Sequence, residues 1–197
     1  MPDIMNGLAL GCSHTAGVGV DPSECYVSLL AKHYNIDITN AGVPGGNSNH
    51  NIKTLVAHMR NTPPKFVIAQ WPNPARLTVW HGDRNNNENI NNASTAFRSL
   101  MTAGEKNFMQ PWLQNIITAD TLCKLADVPV VHILLENLDF KYVDILNDQG
   151  IELHMDLKLE GRTWLFDSQG SDNLHHSARC HAQWAERLIG LLNEITT

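Results

Sequence analysis

Short apolar runs alternate with amphipathic stretches over the first seventy residues. The runs at 6–12, 36–40 and 66–71 have the length and composition of buried strands. Asp21 followed by Pro22 and Glu24 is typical of a helix start, and Asn47 or Ser48 can begin a second helix that continues to about residue 59. Strands and helices that alternate with short connections predict a parallel sheet with helices on both faces.

The second half of the chain has the same alternation with less regularity. We expect two helical pieces within 93–126, broken near Gly104 or Pro111, a strand at 128–135 and a short helix at 139–147. The polar stretch 78–92 predicts an exposed loop, and 151–166 supports neither a strand nor a helix clearly. Apolar residues recur at helical spacing from Cys180 to Ile195, which predicts an amphipathic helix over 177–194.

Composition narrows the class of protein. A chain of 197 residues suits a single domain over 1–197, and a net charge of -6 argues against nucleic acid as a partner. The sequence contains no apolar run of about 20 residues, the length that spans a membrane, and its start lacks the basic residues of a signal peptide. The four cysteines lack CxxC spacing, so we expect reduced, mostly buried thiols in a cytoplasmic protein.

Candidate chemistry begins directly after the first apolar run. Ser13 follows Gly11 by two residues, and a turn there would put the serine at the carboxyl edge of the sheet, where ligands bind in open α/β folds. A serine nucleophile needs a base, and the base needs an orienting partner. Asp172 and His175 lie three residues apart before the last predicted helix, a spacing that lets the carboxylate fix the imidazole tautomer.

Four blocks in this order resemble the SGNH (GDSL-like) hydrolase family. The family's first block, Gly-Asp-Ser with a later Gly, is matched by Gly11-Cys12-Ser13 and Gly17. The second, third and last blocks are matched by Asn40-Ala41-Gly42-Val43-Pro44-Gly45-Gly46-Asn47-Ser48, by Trp71-Pro72-Asn73-Pro74 and by Asp172-Asn173-Leu174-His175. Cys12 replaces the Asp of the first block, and Trp71 and Pro74 replace the Gly and Asp of the third block, Gly-x-Asn-Asp.

The resemblance implies a flavodoxin-like three-layer α/β/α sandwich, with a parallel sheet of about five strands. It also implies a serine esterase that cleaves a carboxylic ester through an acyl-enzyme, without a cofactor or metal. Ser13 would be the nucleophile, His175 the base and Asp172 its orienting partner. The backbone N–H groups of Ser13 and Gly45 and the Asn73 side chain would form the oxyanion hole.

The expected substrate is a small-molecule or carbohydrate ester, with acetyl as the favoured acyl group. Five side chains are candidates for the walls of the substrate pocket: His14, Asn47, Trp71, Arg76 and His176. Trp71 and Arg76 have two interpretations, either as core and pocket wall or as groups that stack on and grip a sugar or acyl group.

Structural explanations of the same residues stay open. Ser13 can be a loop or helix cap, Gly45 can simply allow a turn, and Asn73 can shape the turn between two prolines. The histidines at 14, 81, 175, 176 and 181 can form a metal site. Two other functions also stay open: a non-catalytic glycan- or protein-binding module, and an acyltransferase in which an alcohol replaces water. The sequence does not indicate an oligomeric state.

Overall fold

The structure is a computed structural model, and it describes residues 6–74, 76–81, 84–89, 105–134, 140–155 and 175–195. Its strands, in chain order, are β1 (Asn6–Gly11), β2 (Asp37–Gly42), β3 (Phe66–Trp71), β4 (Arg76–His81), β5 (Arg84–Asn89), β6 (Val130–Leu134) and β7 (Leu153–Met155). Its helices are α1 (Ser13–Ala16), α2 (Tyr26–Tyr34), α3 (Ser48–Asn61), α4 (Glu105–Leu125), α5 (Phe140–Asn147) and α6 (Ala178–Ile195), with a 3₁₀ turn at Pro22–Glu24.

Five strands form one parallel sheet in the order β2-β1-β3-β6-β7. The chain leaves β1 for β2 on one side and later returns to β3 on the other side, so the strand order reverses between β1 and β3. Such a reversal leaves a crevice outside the carboxyl ends of the two strands. β1 and β3 are in register at Leu10 and Ala69, which brings the residues that follow both strands to one place.

Side chains alternate along the strands and bury two separate cores. Leu8 and Leu10 of β1 belong to the core that includes Leu55 of α3 and Ile116 of α4. Ala9 faces the other way, into the core that α2 and α6 cover. The sheet therefore lies between two helical layers, and the predicted α/β/α sandwich is confirmed.

Several details of the prediction change. A helix break at Pro111 was wrong, because the helix is continuous from Glu105 to Leu125 with Pro111 inside it. The alternative break near Gly104 stays a prediction, since 93–104 lie outside the described residues. The loop prediction for 78–92 was wrong, because β4 and β5 form an antiparallel hairpin. Its second strand contains Asn85, Asn86 and Asn87, residues with low strand propensity, which is why the propensities alone favour a loop here.

All four cysteines are free and buried, as predicted. Within the described part of the chain, none of the helices combines the length and the apolar character that crossing a bilayer requires.

Candidate active site at the carboxyl edge of the sheet

Ser13 lies where β1 turns into α1. β1 ends at Gly11, Cys12 has an extended backbone, and α1 begins at Ser13, whose residue surface is 5% exposed. Gly17 ends this single turn in the left-handed conformation at φ 77°, and the Val18 N–H donates to the Ser13 carbonyl at 3.0 Å. The predicted strand–turn context of the serine is therefore present.

A buried polar network holds this turn. The Oε1 atom of Gln70, on the neighbouring strand β3, accepts the Cys12 N–H at 2.8 Å and the Thr15 hydroxyl at 3.2 Å. The Thr15 and Tyr26 hydroxyls are 3.1 Å apart, and Asn40 Nδ2 donates to the Thr15 carbonyl at 2.7 Å. Sequence reasoning missed these residues. The available signal was a glutamine inside an otherwise apolar run. A glutamine there is buried with the strand, as Gln70 is, and a buried amide needs hydrogen-bond partners.

The loop after β2 approaches the same turn. Gly45 has φ 74° and follows Pro44, and the Gly46 N–H donates to the Val43 carbonyl at 2.8 Å. Pro and then a positive-φ Gly are the central residues of a type II turn, whose own hydrogen bond does not use the Gly45 N–H. The Val43 N–H donates to the Gly11 carbonyl at 3.0 Å, which ties this loop to the end of β1.

The segment after β3 is anchored by two indoles. The Trp71 Nε1–H donates to Nδ1 of His132 on β6 at 3.0 Å, and the Trp112 Nε1–H donates to the Pro72 carbonyl at 2.8 Å. Trp71 is 1% exposed and packs in the core. Asn73, two residues after Trp71, is only partly buried. The start of this segment is thus fixed by hydrogen bonds, whereas Asn73 is partly exposed.

His175 comes from the other end of the chain and meets the serine turn. Its ring centroid lies 5.3 Å from that of His14, the residue after Ser13. The His14 ring centroid also lies 4.1 Å from that of His176, whose ring contacts Trp184 of α6. The structure therefore places the His175 ring beside His14, the residue that follows Ser13.

Burial governs the charge of the deeper histidines. Burial, and to a smaller extent the neighbouring imidazoles of His14, His181 and His175, lower the pKa of His176 to about 2. Burial also lowers the pKa of His181 to about 4, and its Nδ1 accepts the Tyr26 N–H at 3.2 Å. Both rings are therefore neutral near pH 7.

The other predicted site residues have diverse surroundings. Asn47 is 1% exposed, and its side chain accepts the His50 N–H at 3.1 Å as the cap of α3. Arg76 begins β4, whereas Asp172 lies outside the described residues. Across the described ranges, no group of three or more His, Cys, Asp or Glu side chains is arranged to hold a metal ion.

Known proteins resemble this chain in fold and not in sequence. No protein-family model and no curated protein sequence matches it. The esterase EstA from Pseudoalteromonas sp. superposes with a TM-score of 0.62 at 17% identity, covering 96% of this chain and 97% of its own. A lipolytic protein of the G-D-S-L family from Desulfitobacterium hafniense gives a TM-score of 0.60 at 12% identity, with 92% and 96% covered.

A third structure is larger than this chain. The acetyl xylan esterase Est2A from Butyrivibrio proteoclasticus gives a TM-score of 0.58 at 13% identity, with 96% of this chain and 63% of Est2A covered. At sequence identities this low, a structural match shows that the folds agree and nothing more. The five-stranded parallel sheet with helices on both faces is accordingly the α/β/α fold that these proteins share.

Proposed function

We propose that the protein is a serine esterase of the SGNH (GDSL-like) hydrolase family. The observation that carries this proposal is the contact between His14 and His175, whose ring centroids are 5.3 Å apart. It joins the imidazole near the carboxyl end of the chain to the residue beside Ser13, at the crevice where the strand order reverses. A base beside a serine at that edge is the arrangement that acyl transfer requires.

In the proposed reaction, the Ser13 hydroxyl attacks the ester carbonyl carbon while His175 accepts the hydroxyl proton. The tetrahedral intermediate collapses, the C–O bond to the alcohol breaks, and His175 returns the proton to the leaving alkoxide. Water then attacks the acyl-enzyme by the same route, with His175 again as base, and releases the carboxylic acid and Ser13. We assign Asp172 the role of orienting His175.

The developing oxyanion would be held by the N–H groups of Ser13 and Gly45 and by the Asn73 side chain. Two observations support this set. The Gly45 N–H is not required by its own turn, and Asn73 follows β3, the strand next to the one that leads to Ser13. Donors fixed before the reaction stabilise charge that appears only in the transition state, which is the main source of rate enhancement in acyl transfer.

For the substrate we propose a small acyl ester, with an acetylated carbohydrate as the favoured class. The similarity to Est2A, an acetyl xylan esterase, supports this choice. The burial of this region supports a small acyl group, because Ser13 is only 5% exposed and the ring of the next residue, His14, packs at 4.1 Å on the buried His176.

The test compares purified wild type with Ser13→Ala and His175→Ala on p-nitrophenyl acetate. Each variant should lose activity by at least about 10³-fold, since members of a catalytic triad act as a unit. Ser28→Ala and His33→Ala on α2 are the matched controls and should keep wild-type rates. A fluorophosphonate should label Ser13 in wild type and leave Ser13→Ala unlabelled, as read by intact mass.

Three results would contradict the proposal: no turnover and no labelling in wild type, equal rates in wild type and Ser13→Ala, or labelling at another residue. Substrate class is tested separately, by acetate release from acetylated xylo-oligosaccharides compared with p-nitrophenyl esters of longer acyl chains. Product analysis with an added sugar alcohol distinguishes hydrolysis from transfer, because an acyltransferase would form the new ester in place of free acid.

A further inference from the structure

A buried chain of polar side chains begins at the end of β3. The Trp71 indole N–H donates to His132 Nδ1 at 3.0 Å, and the two rings stack at 5.9 Å with an interplanar angle of 25°. Because Nδ1 accepts this bond, the proton of the neutral imidazole sits on Nε2. Trp71 is 1% and His132 2% exposed, so solvent does not compete for the indole N–H.

The chain continues from β6 to α4. Oδ1 of Asp120 lies 3.6 Å from His132 Nε2, and Oδ2 lies 2.8 Å from Lys124 Nζ. Burial alone would raise the pKa of the Asp120 carboxyl, but the interactions with His132 and Lys124 outweigh it and hold the pKa below its ordinary value. Asp120 is therefore ionised and favours the His132 tautomer that accepts from Trp71.

A second bond ties the same segment to the same helix. Trp112, also on α4, donates its indole N–H to the Pro72 carbonyl at 2.8 Å and is 2% exposed. The two residues before Asn73 are thus each fixed to α4, one directly and one through His132. Asn73 itself remains partly exposed at the sheet edge.

These contacts lie at the third block, which lacks its usual residues. The chain has Trp71 and Pro74 where the resemblance calls for Gly and Asp. We propose that His132 is a positioning residue that acts through Trp71 to hold Asn73 in the oxyanion hole; the inference rests on the proposed esterase function. Displacing a catalytic group by about 1 Å can reduce the rate by about 10²-fold, so the anchor governs catalysis without touching substrate.

The kinetic test uses a pair of substitutions. His132→Leu keeps the volume of the side chain but removes the acceptor, whereas His132→Asn keeps an oxygen near the position of Nδ1. His132→Leu should lower kcat for p-nitrophenyl acetate by about 10-fold or more at an unchanged KM. His132→Asn should recover kcat to within about threefold of wild type, because its oxygen can still accept the Trp71 N–H.

A double-mutant cycle shows whether the effect passes through Asn73. Asn73→Ala alone should lower kcat by about 10²–10³-fold as an oxyanion donor. In that background His132→Leu should change kcat by less than about twofold, because the group it positions is already gone. Ile116→Val, a buried change on α4 between Trp112 and Asp120, is the control and should lower stability with kcat unchanged. Equal losses from His132→Leu in both backgrounds, or the same kcat loss in Ile116→Val, would overturn the inference.

A third readout separates this inference from the proposed function. The side-chain amide resonances of Asn73 in a ¹H–¹⁵N spectrum report its surroundings whether or not the protein turns over ester. They should shift or broaden in His132→Leu and stay in place in His132→Asn and Ile116→Val. Unmoved Asn73 resonances in His132→Leu would reject the positioning role even in an active enzyme. Shifted Asn73 resonances in a protein without esterase activity would support the positioning role of His132 and contradict the proposed esterase function.

Discussion

Gln70 Oε1 accepts the backbone N–H of Cys12 at 2.8 Å, which ties the residue before Ser13 to the middle of the sheet. The same oxygen accepts the Thr15 hydroxyl at 3.2 Å, so one buried amide holds both ends of the first turn of α1. A side chain from β3 thereby fixes the turn that carries the proposed nucleophile, Ser13, at the start of α1.

Gln70→Met should destabilise the protein by about 2–4 kcal/mol, because it leaves two buried donors without their acceptor. Its kcat should fall as well, since Cys12 and Thr15 flank Ser13. Urea unfolding and steady-state kinetics measure the two effects. In the described part of the chain Gln70 Nε2 has no hydrogen-bond partner, so losing that nitrogen costs little.

Tyr34→Phe is the control for Gln70→Met. The Tyr34 hydroxyl donates to the Ile189 carbonyl at 3.0 Å, but this bond is only partly buried and remote from the serine. Water can replace it, so the free energy of unfolding should change by less than about 1 kcal/mol and kcat should not change. A Gln70→Met variant as stable and as active as Tyr34→Phe would contradict the anchoring role.

Gly42→Ala should disturb the serine turn from the other side. A Cβ atom at Gly42 would lie 2.7 Å from the Thr15 carbonyl carbon, too close for backbone atoms that cannot rotate away. We expect a loss of stability of about 1–3 kcal/mol, typical of overpacking, together with a lower kcat. Thermal unfolding and turnover of p-nitrophenyl acetate measure both.

Gly190→Ala is the matched control for Gly42→Ala. Gly190 lies in α6 with nothing within 4 Å of an added Cβ, so alanine there should stabilise the helix by up to about 1 kcal/mol. If Gly42→Ala behaves like Gly190→Ala, α1 does not pack against β2 as closely as the structure has it.

Removal of metal ions should leave activity unchanged. The proposed reaction needs only the serine, its base and hydrogen-bond donors, and the described residues include no three-membered cluster suited to a metal. Activity after dialysis against EDTA, compared with a mock-dialysed sample, checks this. Loss of activity that zinc restores would revive the interpretation of the histidines as ligands.

The positions of residues that follow predicted strands could be predicted from the sequence. Ser13 and Asn73 come within two residues of the ends of apolar runs, and parallel strands end at one edge, so the pattern alone predicts both residues at that edge. The motif spacing also indicated His175, because it precedes a clear amphipathic helix. Asp172 stays a prediction, since it lies outside the described residues.

The supporting contacts were not accessible in this way. The Trp71–His132 bond depends on β3 pairing with β6, and the Asp120 contact depends on where α4 crosses the sheet. Neither relationship leaves a periodic trace in the sequence. The hairpin of β4 and β5 was missed for a related reason, since its asparagines favour turns when considered singly.

Stability should fall as the pH is lowered from 7.5 to 5. The folded state keeps His176 and His181 neutral, with pKa values of about 2 and about 4, whereas the unfolded chain takes up protons near 6.5. Groups whose pKa is lowered on folding stabilise the folded state fully above pH 6.5, and this stabilisation is lost as the pH falls toward their pKa in the folded state. At pH 5 the expected loss is about 2 kcal/mol for each histidine, measured by urea unfolding.

A variant that keeps the hydrogen bond but does not titrate tests this cause. His181→Asn retains an oxygen that can accept the Tyr26 N–H, so the share of the pH dependence that comes from His181, about 2 kcal/mol between pH 7.5 and pH 5, should disappear. Burial also lowers the pKa values of His50 and His154, and their contributions stay in this variant. Asp120 does not contribute in this window, because its lowered pKa lies below 3.8 and its effect begins at more acidic pH. Equal free energies of unfolding at pH 7.5 and pH 5 in wild type would show that the two rings are not buried as neutral groups.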